Sequence, residues 1–112
     1  MSEPADTPAP PYYAVIFTSA RAPGGDAAYA QTADDMNQLA SQQPGYLGQE
    51  SAHDDGGLGI TVSYWESLEA ITAWKAQADH QTAQALGRDQ WYRTYTTRIA
   101  RVERAYGWTR TH

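Results

Sequence analysis

The chain has 112 residues, 41% of them hydrophobic, with thirteen acidic against eight basic side chains and a net charge of −5. That is the length of one domain able to bury a core, and the acidic balance argues against nucleic acid as a partner. There is no cysteine, so disulfides, thiolate nucleophiles and thiolate-bound metals are excluded.

Residues 1–11, MSEPADTPAPP, are acidic and proline-rich and have neither a basic n-region nor an apolar h-region. They read as a disordered tail of a cytoplasmic protein, not as a signal or an anchor. No apolar run approaches the roughly 20 residues that cross a bilayer, so no membrane partner is expected. From Tyr12, YYAVIFTSA is aromatic and β-branched with no polar residue before Thr18, the pattern of a strand buried on both faces. After RAPGGD, apolar positions recur at Tyr29, Thr32 or Ala33, Met36, and Leu39 or Ala40, which predicts an amphipathic helix with Asp26 as its cap. Pro44-Gly45 ends it.

YLGQESA, HDDGG and LGITVSYW then read as strand, tight turn and returning strand. Tyr64 and Trp65 are consecutive on that second strand and must face opposite sides of the sheet, one toward the helices and one toward the outer face. Ser67 predicts a helix cap with Glu69 in the first turn, and Leu68, Ile71, Trp74 or Lys75, and Ala78 set the helical face. Beyond Asp79 the apolar phase changes to Ala83 and Leu86, with Trp91 after Gly87, which suggests a further helical segment. TTRIARVERAY alternates strictly and predicts the last strand, with Arg98, Ala100, Val102, Arg104 and Tyr106 on one side.

The order is strand, helix, strand, strand, helix, strand: a ferredoxin-like βαββαβ unit of class α+β, a four-stranded antiparallel sheet with both helices on one face. A first strand apolar on both sides needs cover on the second face too. An identical sheet from another copy supplies it most economically, so a homodimer closing two sheets into a barrel is expected.

Four phrases, YYAVIFTS, QQPGYLGQES, GITVSYWESLEAITAWKAQADH and TRIARVERAYGW, resemble the antibiotic biosynthesis monooxygenase (ABM) superfamily over residues 12–108, leaving 109–112 as a short C-terminal tail. The resemblance implies a dimeric α+β barrel with a pocket between sheet and helices in each subunit. Its members are small oxygenases acting on polyketide quinones without metal or flavin, haem-degrading enzymes, and proteins with no assigned substrate. The haem-degrading branch uses an asparagine on the first strand, a tryptophan on the second helix and an iron-ligating histidine ten residues later. Trp74 matches the tryptophan, whereas Gln84 stands at the tenth position and Phe17, Thr18 and Ser19 where the asparagine would be. His80 lies about one helical turn before Gln84.

The resulting expectation is a monooxygenase-like oxidoreductase for a small aromatic or quinol-type molecule, needing no cofactor and no metal, with haem as the alternative cofactor. A non-catalytic dimeric binding or stress-associated module is the alternative from another class. Trp74 and His80 are the candidate catalytic residues, and Phe17, Tyr64, Trp65 and Ile71 the candidate pocket lining. Trp74 shares a helical face with Ile71, which favours a core residue over a dedicated catalytic one, and a pocket wall satisfies both readings. His80 is half-exposed on an unbroken helix, about 120° from the core stripe, but turns inward if the helix breaks at Asp79. His53, Asp54 and Asp55 are adjacent turn residues that cannot converge on one ion.

Overall fold

The computed structural model of the chain describes residues 3–24, 26–84 and 91–110; the side chains at 26, 28 and 81–84 are outside what is described. Its elements are β1 (Tyr12–Arg21), α1 (Asp26–Ser41), β2 (Tyr46–His53), β3 (Leu58–Trp65), α2 (Leu68–Gln84) and β4 (Tyr92–Val102). The strands form one antiparallel sheet in the order β2-β3-β1-β4, the expected ferredoxin-like arrangement.

Register sorts the side chains onto two faces. Opposite residues in an antiparallel pair share a side, so Tyr13, Val15, Phe17, Ser19 and Arg21 of β1 lie with Trp65, Ser63 and Thr61 of β3 and with Arg101, Ile99, Thr97 and Tyr95 of β4. This is the face the helices cover. Ala40 of α1 and Ile71 of α2 are buried against Trp65, and Tyr13, Val15, Tyr46, Ala70 and Trp74 pack around them. The α1 periodicity holds, with Tyr29, Thr32, Ala33, Met36, Leu39 and Ala40 inward of their neighbours. On α2, Leu68 departs from its expected face and is exposed. The expected Asp26 cap and the helical segment through Ala83 and Leu86 fall outside the described side chains, as does the terminal residue His112.

Local chemistry explains the element ends. The Ser67 hydroxyl accepts from the Ala70 N–H at 3.1 Å, a helix cap of the usual kind. Asp54 fixes the β2–β3 turn, its Oδ1 accepting from the Leu58 N–H at 2.9 Å. Gly45 has φ +86° and sits so close to α2 that an added Cβ would lie 2.7 Å from Ala70 Cβ. Only glycine accepts both the backbone conformation and the approach.

Three expectations are corrected. Residues 3–11 are not a detached tail. The Ala5 N–H donates to Glu50 Oε2 at 2.8 Å, and Thr7 and Tyr12 hydroxyls meet at 2.9 Å, which lays the segment on the outer face. Gly48 (φ +153°) admits it, since a Cβ there would come 3.2 Å from Ala5 Cβ. Second, α2 runs unbroken through Asp79, where Lys75 Nζ donates to Asp79 Oδ2 at 2.7 Å across one helical turn. Third, the last strand begins at Tyr92 and stops at Val102 rather than reaching Tyr106. Val102 pairs with Tyr12, and the residues before Tyr12 are Pro10 and Pro11, which have no N–H with which to extend the ladder. Tyr106 and Trp108 follow in irregular backbone, exposed at 93% and 80%.

Candidate functional site on the helix-covered face

The helices do not cover their face of the sheet evenly. Their main contacts fall on β2 and β3, at the end where Trp65 is completely buried. There the packing is closed. Trp74 stacks on Trp65 with ring centres 6.0 Å apart, Tyr46 meets Trp65 edge-on at 5.5 Å, and the Trp65 Nε1–H is satisfied by Ser63 Oγ at 2.8 Å. Burial alone raises the Tyr46 pKa. Trp65 and Ile71 are thus core, and Trp74, half-buried, forms the edge of that core.

At the β1–β4 edge the described residues of the face are aromatic and partly exposed. Phe17 lies 5.6 Å from Tyr92 and 5.2 Å from Tyr95. Tyr29, projecting from the first turns of α1, meets Trp91 at 5.9 Å and Tyr92 at 5.8 Å. Tyr95 is 38% and Ile99 54% exposed, so a planar apolar ligand would find uncovered ring and alkyl surface here. A register shift between Ala20 and Arg21 brings Tyr92 beside Arg21. The Arg21 guanidinium lies 3.8 Å over the Tyr29 ring, a close cation–π contact. The Tyr92 hydroxyl donates to the Tyr29 oxygen at 3.5 Å. Burial first, then Tyr29, pushes the Tyr92 pKa well above the ordinary phenol range, with Arg21 pulling the other way. Tyr92 therefore stays protonated and acts as a donor, not a base.

The remaining candidates sit elsewhere. Tyr64 is on the outer face, edge-on to Tyr12 at 5.8 Å, donating to Glu50 Oε1 at 2.6 Å. Burial and the Glu50 carboxylate push its pKa up to about 12. His80 is exposed on the continuous α2. Phe17 alone among the proposed lining residues belongs to the open strip. Arg21, Tyr29, Tyr92 and Tyr95 complete it, and among them only Tyr29 is marked by periodicity. Among the described residues, no three His, Cys, Asp or Glu side chains gather as metal ligands, and no helix is long and apolar enough to cross a membrane.

A four-stranded antiparallel sheet with two helices on one face and an aromatic strip at its β1–β4 edge defines a ferredoxin-like α+β protein. Residues 12–86 match the family described as antibiotic biosynthesis monooxygenase, and the chain belongs to that family. It is 50% identical over 98 residues to the uncharacterized protein YqjZ of Bacillus subtilis, covering 88% of this chain and 85% of that one. SnoaB, a cofactor-independent oxygenase from Streptomyces nogalater, superposes with a TM-score of 0.71 at 13% identity over 86% of this chain and 97% of its own. PA3566 from Pseudomonas aeruginosa does so with a TM-score of 0.66 at 17% identity, over 87% and 97%. At those identities the structural likeness speaks for the fold alone.

Proposed function

We propose that the chain is a cofactor-independent, monooxygenase-like enzyme that oxidises a small aromatic or quinol-type molecule bound on the β1–β4 strip. The observation that carries this reading is the run of rings Phe17, Tyr92 and Tyr95 with Ile99 beyond them at the β1–β4 edge, where Tyr95 and Ile99 are exposed. Family membership supports it, and SnoaB, a cofactor-independent oxygenase of the same fold, suggests a chemistry.

In that chemistry the substrate supplies all the electrons. A ring methylene activated by a neighbouring phenol is deprotonated, its carbanion reacts with dioxygen, and loss of water leaves a carbonyl. The CH₂ loses four electrons, one oxygen atom enters the substrate and the other leaves as water. The protein's part is to hold the anion, exclude bulk water and accept a proton. The Tyr29 hydroxyl hydrogen-bonds a substrate oxygen; Trp74, at the edge of the closed core, and His80, exposed on α2, are the candidates for wall and base whose roles the variants below test. Two chains associate through their outer faces, where Leu58 and Ile60 are exposed, and the dimer works in the cytoplasm.

The test is oxygen uptake with 1,8-dihydroxyanthrone in the presence of chelator. Turnover above the buffer rate, forming the quinone, supports the reading; none refutes it for this substrate type. Trp74→Phe and His80→Ala variants that keep full turnover would remove those two residues from the mechanism.

A further inference from the structure

Two polar side chains are buried among the described residues, Ser19 of β1 and Ser63 of β3, and register puts both on the helix-covered side of the sheet. Ser63 Oγ accepts the Trp65 indole N–H at 2.8 Å. The Ser19 hydroxyl, on a residue 5% exposed, meets no hydrogen-bond partner among the described residues. Burying a hydroxyl without a partner forfeits its hydration, so such a group calls for a reason.

The reason lies in the row that crosses the sheet at Ser19. Tyr95 of β4, Ser19 of β1, Gly59 of β3 and His53 of β2 stand opposite one another in turn, and Gly59 is the gap in that row. A Cβ at Gly59 would lie 3.8 Å from Ser19 Oγ and 3.7 Å from His53 Cβ. The missing side chain thus leaves a notch, with the Ser19 hydroxyl on one rim and the exposed His53 side chain rising from the other. Two strand spacings, about 10 Å, separate Gly59 from Tyr95. Phe17, two positions from Ser19 on the same side, has its ring 5.2 Å from that of Tyr95, so the notch adjoins the aromatic strip. One row along, the Thr61 and Ser51 hydroxyls meet each other at 2.9 Å.

A serine hydroxyl and a neutral imidazole can each donate and accept, which together complement an O–H group. Asp54 and Asp55 follow His53 in the chain, and their charge disfavours an anion there. We propose that Ser19, Gly59 and His53 form a recognition notch for the neutral hydroxyl of a planar aromatic ligand whose ring lies on Phe17 and Tyr95. The location rests on the strip assigned above as the substrate surface, but the notch is tested by binding alone.

The probes are 2-naphthol and 2-methylnaphthalene, alike in shape and differing in the hydroxyl; neither has an activated methylene, so a failure of turnover leaves this test intact. Titration followed by tryptophan and ligand fluorescence should show 2-naphthol binding at least about tenfold tighter, a difference of about 1.4 kcal/mol. Ser19→Ala and His53→Leu should each cut that preference several-fold while 2-methylnaphthalene still binds, which also shows that the variants are folded. In Gly59→Ala the new methyl makes only ordinary contacts, so the protein folds, but the notch is filled and the preference should vanish. Thr97, exposed and opposite Phe17, is the control, and Thr97→Val should keep the preference. Ser19→Ala should also leave the urea midpoint unchanged or raised, because no protein hydrogen bond is lost. Equal affinity for the two probes, a preference that survives Ser19→Ala, His53→Leu or Gly59→Ala or is lost in Thr97→Val, or a Ser19→Ala protein of lowered midpoint overturns the proposal. The aryl-oxidation reading itself would still stand on its own oxygen-uptake assay.

Discussion

Gly45→Ala is the substitution whose cost the structure states most directly. Gly45 sits at the turn between α1 and β2 with φ +86°, a conformation that costs an L-residue about 1–2 kcal/mol. The new methyl would lie 2.7 Å from Ala70 Cβ and 3.1 Å from Glu66 Cγ. Glu66 Cγ belongs to a flexible side chain and can move. Ala70 Cβ is fixed to the first turn of α2, so the helix must shift, and forcing extra volume into such a contact costs about 1–3 kcal/mol. The sum is about 2–5 kcal/mol, a large share of the 5–15 kcal/mol that typically holds a domain together. Urea denaturation monitored by tryptophan fluorescence reads it, because Trp65 and Trp74 lie over this junction. Removing the opposing methyl in Gly45→Ala/Ala70→Gly should recover the steric part, less the roughly 1 kcal/mol that glycine costs in a helix. A Gly45→Ala protein within about 1 kcal/mol of the parent, or a double variant no better than the single one, would refute this account of the junction.

The outer face gives three further expectations. Tyr64, its pKa raised to about 12 from 10.0, binds its proton more tightly folded than unfolded, so its contribution to stability is complete below pH 10 and is lost as pH rises through about 12. Absorbance at 295 nm, compared with Tyr64→Phe, should show this late ionisation. In Glu50→Gln it should move only part of the way back toward 10, since burial is the larger cause; an ionisation near 10 in the parent would contradict the hydrogen bond. Gly48→Ala should loosen the N-terminal segment, raising hydrogen exchange at the Ala5 amide while β3 amides stay protected; unchanged Ala5 exchange would show that the segment does not depend on that approach. Ile60→Asp places a charge in the proposed subunit contact and should shift the sedimentation coefficient from dimer to monomer, a shift that a natively monomeric chain would not give.

Where sequence patterns are local, they were readable. Period-two and three-and-four spacing gave the element order, the Ser67 cap and the Asp-Asp-Gly-Gly turn each carry their own chemistry, and strand alternation separated Trp65 from Tyr64. What depends on distant partners was not. The 3–11 segment has the composition of a disordered tail, and its hold on the sheet lies in Glu50 and the absent side chain at position 48. The phase change after Ala78 suggested a break, whereas α2 runs on through Asp79. Arg21, Tyr29 and Tyr92 span more than seventy residues of chain, and only the β1–β4 pairing and its register shift bring them together. Two of the candidate lining residues, Trp65 and Ile71, are core, because large apolar side chains stabilise most when fully buried.

The central claim is that the open strip oxidises an aryl substrate with dioxygen and the protein alone. Its most direct test is oxygen uptake with quinone formation from 1,8-dihydroxyanthrone, using chelator-treated protein, with Phe17→Asp placing a charge in the middle of the strip. The account predicts one dioxygen consumed per quinone formed without any added cofactor, and loss of at least about tenfold in rate for the folded Phe17→Asp variant. No turnover above autoxidation, turnover that appears only after haem is added, or a Phe17→Asp variant as active as the parent would contradict it.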